Sequence, residues 1–159
     1  MSENAYRIAV LTKYVPDTQF EQKLDDTLRV DRSESVMSEL DEYAVEAAMQ
    51  IVEAEDTDAA NSAVIAFTLG AADASKGLRR ALQLGAHEGV HILDDAFAGA
   101  DALATSRIIA AALSTYEQEH GTFDLILTGM ASTEGETSLV PVQVSELLGR
   151  TGISQVASL

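Results

Sequence analysis

The feature that most restricts this chain is its rhythm. Short apolar runs at residues 7–13, 63–69, 89–93 and 123–128 alternate with segments of helical periodicity. Strands covered on both faces read as continuous apolar runs, whereas half-exposed strands alternate. Strands of that kind separated by helices predict a parallel sheet with helices on both faces, a three-layer α/β/α domain. Residues 28–30 are expected to add a short edge strand, and residues 153–159 to begin another.

The helices follow from their punctuation. Ser38 with Asp41 three residues on has the form of a capping box. The helix it opens carries Ala44, Val45, Ala48, Ile51 and Val52 on one face. Asp73 is expected to cap a second helix, with Leu78, Ala81 and Leu82 turned inward, Arg79 and Arg80 in its last turns and Gly85 ending it. Residues 101–119 predict a longer helix with Leu103, Ile108, Ala111, Ala112 and Tyr116 as core positions. Residues 138–148 predict the last, with Pro141 in its first turn and Gly149 after its end. No repeat or linker divides the chain, so residues 1–159 are read as one domain.

Composition removes several chemistries. The sequence has no cysteine. That excludes a thiol nucleophile, a redox-active CxxC pair, a cysteine-held iron–sulfur cluster and disulfides in this chain. A formal net charge of −16 opposes binding to nucleic acid; the acid excess serves solubility or forms an acidic docking face. No apolar run approaches the roughly 18 residues of a membrane helix, and the start Met1-Ser-Glu-Asn lacks the basic and apolar regions of a secretory signal. A cytoplasmic location without membrane insertion is the expectation.

In an open parallel sheet, ligands bind beyond the carboxyl ends of the strands, near the point where strand order reverses. Residues 13–17, 38–41, 69–70 and 129–138 converge there. The segment from Gly129 to Ser138 is small, polar and glycine-bearing, and it enters a helix. Two readings are open: a phosphate held by Thr137, Ser138 and the amides after them, or a plain Ser/Thr cap with no ligand. Glu134 and Glu136 oppose a free phosphate unless they point away; otherwise they hold a ribose hydroxyl or another chain's cation, or are solvated. Lys13 faces a phosphate, an acidic partner or a neighbouring carboxylate. His87, His91 and His120 lack metal-ligand spacing, and His91 is read as a hydrogen-bonded structural residue. The dinucleotide motif G-x-G-x-x-G, the Walker loop and G-x-S-x-G are absent, as is the Ser-Gly-Gly-x-Asp-Ser loop of ATP pyrophosphatases. Residue chemistry alone ends at an α/β domain with an anion or nucleotide site.

Longer segments carry a resemblance. Lys13-Tyr-Val-Pro-Asp-Thr18, Asp41-Glu-Tyr-Ala-Val-Glu-Ala-Ala48, Leu78-Arg-Arg-Ala-Leu-Gln-Leu-Gly-Ala86 and the stretch from Gly129 to Gly149 resemble, in order, segments of electron-transfer flavoprotein beta subunits of actinobacterial type. The resemblance implies the adenine nucleotide alpha hydrolase-like fold and an electron-carrier subunit without catalytic side chains of its own. It implies a heterodimer with an alpha subunit that holds FAD and passes electrons from flavin dehydrogenases to a quinone reductase or similar acceptor. The beta subunit of such proteins holds AMP, or a second FAD in bifurcating members. By position the nucleotide meets Leu11, Ser38, Glu39, Leu40, Asp41, Leu69, Ser132, Thr133, Glu134, Gly135, Glu136, Thr137, Ser138, Val140 and Gln143, with Lys13 beside them. Backbone at Leu11 and Leu69 suits adenine. Leu139 and Pro141 depart from the family loop, and Pro141 removes an N–H, which tells against a second FAD. The resemblance also leads one to expect a C-terminal arm, which this sequence lacks, so a truncated protein is expected. The competing reading is a stand-alone adenine-nucleotide-binding protein of the universal-stress type, whose G-x-x-G-x-G-x-x-G-[ST] loop is absent after Gly129.

Overall fold

The computed structural model describes residues 5–26 and 28–156. At its centre is β1 (Arg7–Thr12), flanked in parallel by β4 (Ala63–Leu69) on one side and β6 (Leu125–Thr128) on the other. Strand β5 (Glu88–Ile92) pairs with the outer side of β4, giving the order β5-β4-β1-β6. Helices α1 (Glu39–Val52) and α2 (Ser75–Gln83) cover one face; α3 (Ala102–His120) and α4 (Val140–Leu148) cover the other. The three-layer α/β/α reading is borne out.

The run in β1 is unbroken because both its faces are packed. Ile8 and Val10 meet Val45, Ala48 and Val52 from α1, while Ala9 and Leu11 lie in the cluster of Phe67, Ile109 and Leu113. Phe67 sits edge-on to Tyr116 and Phe123, at centroid distances of 5.3 and 5.8 Å. The chain runs outward from β1 to β4 to β5, then returns through α3 to the opposite side of β1. Strand order therefore reverses between β1 and β6.

Several local expectations are corrected. Residues 28–30 form no strand: Leu24 and Val30 make one isolated bridge, and Leu28 has a φ of +61°. The excursion is anchored instead by a hairpin of β2 (Tyr14–Pro16) and β3 (Ser35–Met37). Asp73 does not cap α2. It lies in a 3-10 turn, Ala72–Ala74, and pairs with Lys76, while Leu82 faces outward. The inward face of α3 is Ser106, Ile109, Ala110, Leu113 and Tyr116. Of its expected core positions only Tyr116 is fully covered; Leu103 is 43% exposed. Residues 153–156 form no strand. Residues 157–159 of that expected strand, and residues 1–4 read for targeting, lie outside the described residues. Among the described residues no helix is long and apolar enough to cross a membrane.

Asp101 does cap α3, its carboxylate accepting from the Ala104 amide at 2.8 Å. Asp101→Ala is expected to lose about 1 kcal/mol of stability, read as a lower urea midpoint with an unchanged slope.

Candidate functional site

The carboxyl ends of β1 and β6 are joined by one buried side chain. Asp41, in the first turn of α1, accepts the Lys13 amide at 2.8 Å and is hydrogen-bonded by the Gly129 amide. These amides leave the two central strands at the switch point, so Asp41 fixes their separation. Burial pushes the Asp41 carboxyl up to about 7, against the opposing pull of the two amides and the Lys13 charge. Gly129 is the residue this junction tolerates: an added Cβ would lie 2.3 Å from Asp41 Oδ1 and 3.1 Å from the Leu40 carbonyl carbon.

Beside the staple, the Thr12 hydroxyl donates to the Phe67 carbonyl at 3.1 Å and the Thr68 hydroxyl to the Thr12 carbonyl at 2.9 Å. The exchange locks the ends of β1 and β4. Ser38 precedes α1, its amide donating to the Lys13 carbonyl at 2.9 Å. The expected capping box does not form. The Ser38 hydroxyl makes no cap bond and turns to the Asp41 carboxyl, where it favours the ionised form, while the hydroxyl of Thr133 is buried without a hydrogen-bond partner. Asp41 is spent on the strand ends instead.

The loop after β6 folds on Ser132, whose carbonyl accepts the Glu136 amide at 2.9 Å and whose hydroxyl accepts the Gly135 amide at 3.2 Å. Glu136 and Ser138 both take left-handed backbone, at φ of +46° and +51°. Ser138 therefore cannot begin a helix, and α4 starts at Val140 with Pro141 in its opening turn. The expected start at residue 138 is corrected by two residues, and Thr137 and Ser138 lie before the helix, exposed.

Glu134 is not solvated. Its carboxylate bridges Lys13 Nζ at 2.6 Å and Arg32 at 2.5 Å, and its side chain is only 13% exposed. Burial pushes its carboxyl up, but the hydrogen bonds and charges of Arg32 and Lys13 outweigh that and hold it below the ordinary range. Lys13 Nζ also reaches the Ser132 hydroxyl at 3.2 Å. Of the alternatives for Lys13, the structure shows the neighbouring carboxylate.

The structure thus gathers Lys13, Ser38, Asp41, Ser132, Thr133 and Glu134, with Leu40 half-buried against Gly129. Glu39, Gly135, Glu136, Thr137 and Ser138 are exposed. Leu11 and Leu69 pack in the core under α3 and α4, and Val140, the first residue of α4, packs against the same cluster. The Gln143 side chain accepts from the Ser106 hydroxyl at 2.8 Å, on the α3–α4 contact. His91 Nε2 lies 3.1 Å from the Gly70 carbonyl, as its structural reading anticipated. Arg32 was missed by sequence reasoning, because it stands in an unpatterned polar excursion. Charge complementarity with the two loop glutamates was the available signal. What the assembly offers is recognition: two cations, the unpartnered Thr133 hydroxyl and strand-end backbone.

A parallel α/β domain with its polar loops gathered at the switch point defines the class. A family model for the electron transfer flavoprotein domain matches residues 27–159, and the chain belongs to that family. It is 38% identical over 155 residues to the electron transfer flavoprotein subunit beta of Mycobacterium leprae, covering 96% of this chain and 57% of that protein. The subunit beta of Mycobacterium tuberculosis (strain ATCC 25618 / H37Rv) is 41% identical over 145 residues, covering 89% and 53%. The caffeyl-CoA reductase-Etf complex subunit CarD of Acetobacterium woodii is 33% identical over 156 residues, covering 96% and 56%. The expected likeness to beta subunits is thereby shown; the chain spans about half the length of the curated relatives it matches.

Proposed function

We propose that this chain is the nucleotide-holding part of an electron-transfer flavoprotein beta subunit. It holds AMP at the switch point and works in a heterodimer with an FAD-bearing alpha subunit. That complex carries electrons in the cytoplasm from flavin dehydrogenases to a quinone reductase or similar acceptor. The observation that carries the nucleotide half is the buried Thr133 hydroxyl without a partner, beside two strand ends and two cations. A buried polar group without a partner is destabilising by about 1–3 kcal/mol, so a ligand that satisfies it is favoured there. The family membership supports the electron-transfer half.

The flavin supplies the redox chemistry when bound. This chain's residues bind and orient. Backbone at the ends of β1 and β4 meets the base, and Lys13, Ser132 and the loop amides meet the phosphate side. Pro141 supplies no amide to the first turn of α4, which favours one phosphate over the diphosphate of a second FAD.

The test is the content of the purified, heat-denatured protein. AMP, absorbing at about 260 nm and identified by chromatography, is the expected release, without flavin bands at about 375 and 450 nm. Flavin bands would move the assignment to a second FAD. Retained ATP with hydrolysis, or failure of the full-length gene product to hold an alpha-type subunit on co-expression, would overturn it.

A further inference from the structure

We propose that Glu134 is a built-in anion that occupies a phosphate seat between Lys13 and Arg32 and latches the 129–138 loop, and that a phosphate monoester enters by displacing it. The displacement rests on the nucleotide reading above; the latch does not.

The seat is made of three separate pieces of chain. Lys13 follows β1, Arg32 comes from the polar excursion, and Glu134 comes from the loop after β6. Each cation meets a different oxygen: Lys13 takes Oε1 at 2.6 Å and Arg32 takes Oε2 at 2.5 Å. Two cations that grip the two oxygens of one carboxylate also match two oxygens of a phosphate. Lys13 additionally reaches the Ser132 hydroxyl, at the root of the same loop. Glu134 is the covered partner, at 13% exposure, while Lys13 and Arg32 are 42% and 52% exposed. The cations are therefore open to solvent on the side away from Glu134, where an entering anion would compete.

The loop has reason to move when Glu134 leaves. Two of its non-glycine residues sit in left-handed backbone, which is unfavourable by about 1–2 kcal/mol per residue. Thr133, beside Glu134, has a hydroxyl buried without a partner. The latched loop leaves a donor unused that a phosphate could satisfy. Exchange of one anion for another at the same cations also has a signature: little net change in ion pairing, hence weak dependence of binding on salt.

The test compares the full-length wild-type protein with Glu134→Gln, Arg32→Gln and, as a remote charge control on α4, Glu146→Gln. Hydrogen exchange of the 129–138 amides is measured without ligand, then binding of AMP, adenosine and inorganic phosphate at two salt concentrations. Glu134→Gln and Arg32→Gln are both expected to speed exchange in the loop. Glu134→Gln is expected to bind AMP about 10-fold tighter, to bind inorganic phosphate more tightly also, and to become salt-sensitive, with adenosine unchanged. Arg32→Gln loosens the loop in the same way yet weakens AMP. Unchanged exchange in both variants overturns the latch. Weaker or equal AMP binding by Glu134→Gln, or an equal gain in Glu146→Gln, overturns the displacement. If the loop loosens but no protein binds AMP or adenosine, the nucleotide reading and the displacement fall together and the latch stands.

Discussion

Gly129→Ala is expected to lower the unfolding free energy by about 3 kcal/mol or more, a fall in melting temperature of roughly 6–12 °C for a domain of this size. The methyl group would lie 2.3 Å from Asp41 Oδ1, well inside contact distance, and 3.1 Å from Leu40 backbone on the other side. The carboxylate could move only by releasing the Lys13 and Gly129 amides, which are its partners at the ends of the two central strands. Overpacking and the loss of a buried carboxyl group's hydrogen bonds would then act together. Gly89→Ala is the fitting control. It sits on β5, where an added Cβ would meet Leu78 at an ordinary 3.4 Å, so its stability should stay within about 0.5 kcal/mol of the wild type. Urea unfolding of both variants decides the matter. If Gly129→Ala unfolds at the wild-type midpoint, the close approach of α1 to the β6 exit is not what fixes the switch point.

The sheet was legible because its code is local. Residues 8–11 and 63–67 are apolar without interruption, and between turn signals a strand covered on both faces reads as such a run. The faces of α3 were not legible. In Leu103-Ala-Thr-Ser-Arg-Ile-Ile-Ala-Ala-Ala-Leu113 small apolar residues nearly surround the helix, so a 3.6-residue period cannot separate a stripe through Ile108 and Ala112 from one through Ile109 and Leu113. Contact with Ile65 and Phe67 makes that choice, and this is tertiary information. The hairpin of β2 and β3 has strands of three residues each, too short to show a period.

At the site, the positions near the strand ends were legible from sheet topology and from family likeness, but their partners were not. Ser38 and Asp41 have the spacing of a capping box, yet the strand-end amides compete for Asp41 and win. In burial, a carboxylate is better matched by two N–H donors fixed in position than by a helix-end donor that solvent can reach. Glu134 illustrates the same limit. As a loop carboxylate it reads as solvated; only the fold brings Lys13 and Arg32, 102 residues away from it in the case of Arg32, onto its two oxygens. Long-range charge pairs leave no periodic trace, so charge complementarity alone hints at such a site and the fold decides which charges meet.

The stability of this domain should fall as pH rises from about 4 to about 7, and Asp41→Asn should remove most of that slope. In the folded protein burial raises Asp41 from 3.8 to about 7. Between those values the folded state keeps a proton that the unfolded chain has released, so the unfolded state binds fewer protons and unfolding becomes easier with each step in pH. Below about 4 both states are protonated, and above about 7 both are ionised, so the contribution is flat outside the window. At about 1.36 kcal/mol per unit of pKa difference, the full effect amounts to a few kcal/mol. Glu134 acts in the opposite sense at the acid edge: its carboxyl is held below 4.5, so its contribution is present above that value and is lost only as pH falls through the lowered one. The interval from pH 5 to 7 therefore isolates Asp41 from Glu134. The exposed carboxylates add a mutual repulsion, but Asp41→Asn keeps all of them, and subtracting the two profiles cancels it. The variant carries a fixed offset of about 1–3 kcal/mol, since the amide NH2 replaces one of the two carboxyl oxygens and cannot accept from a backbone N–H. Urea unfolding at half-unit steps of pH measures both quantities, the offset at the acid end and the slope between 5 and 7. Parallel profiles for wild type and Asp41→Asn across that interval would mean that the carboxyl ionises at its ordinary value, and that the junction between β1 and β6 is held by a charge rather than by a group poised at neutrality.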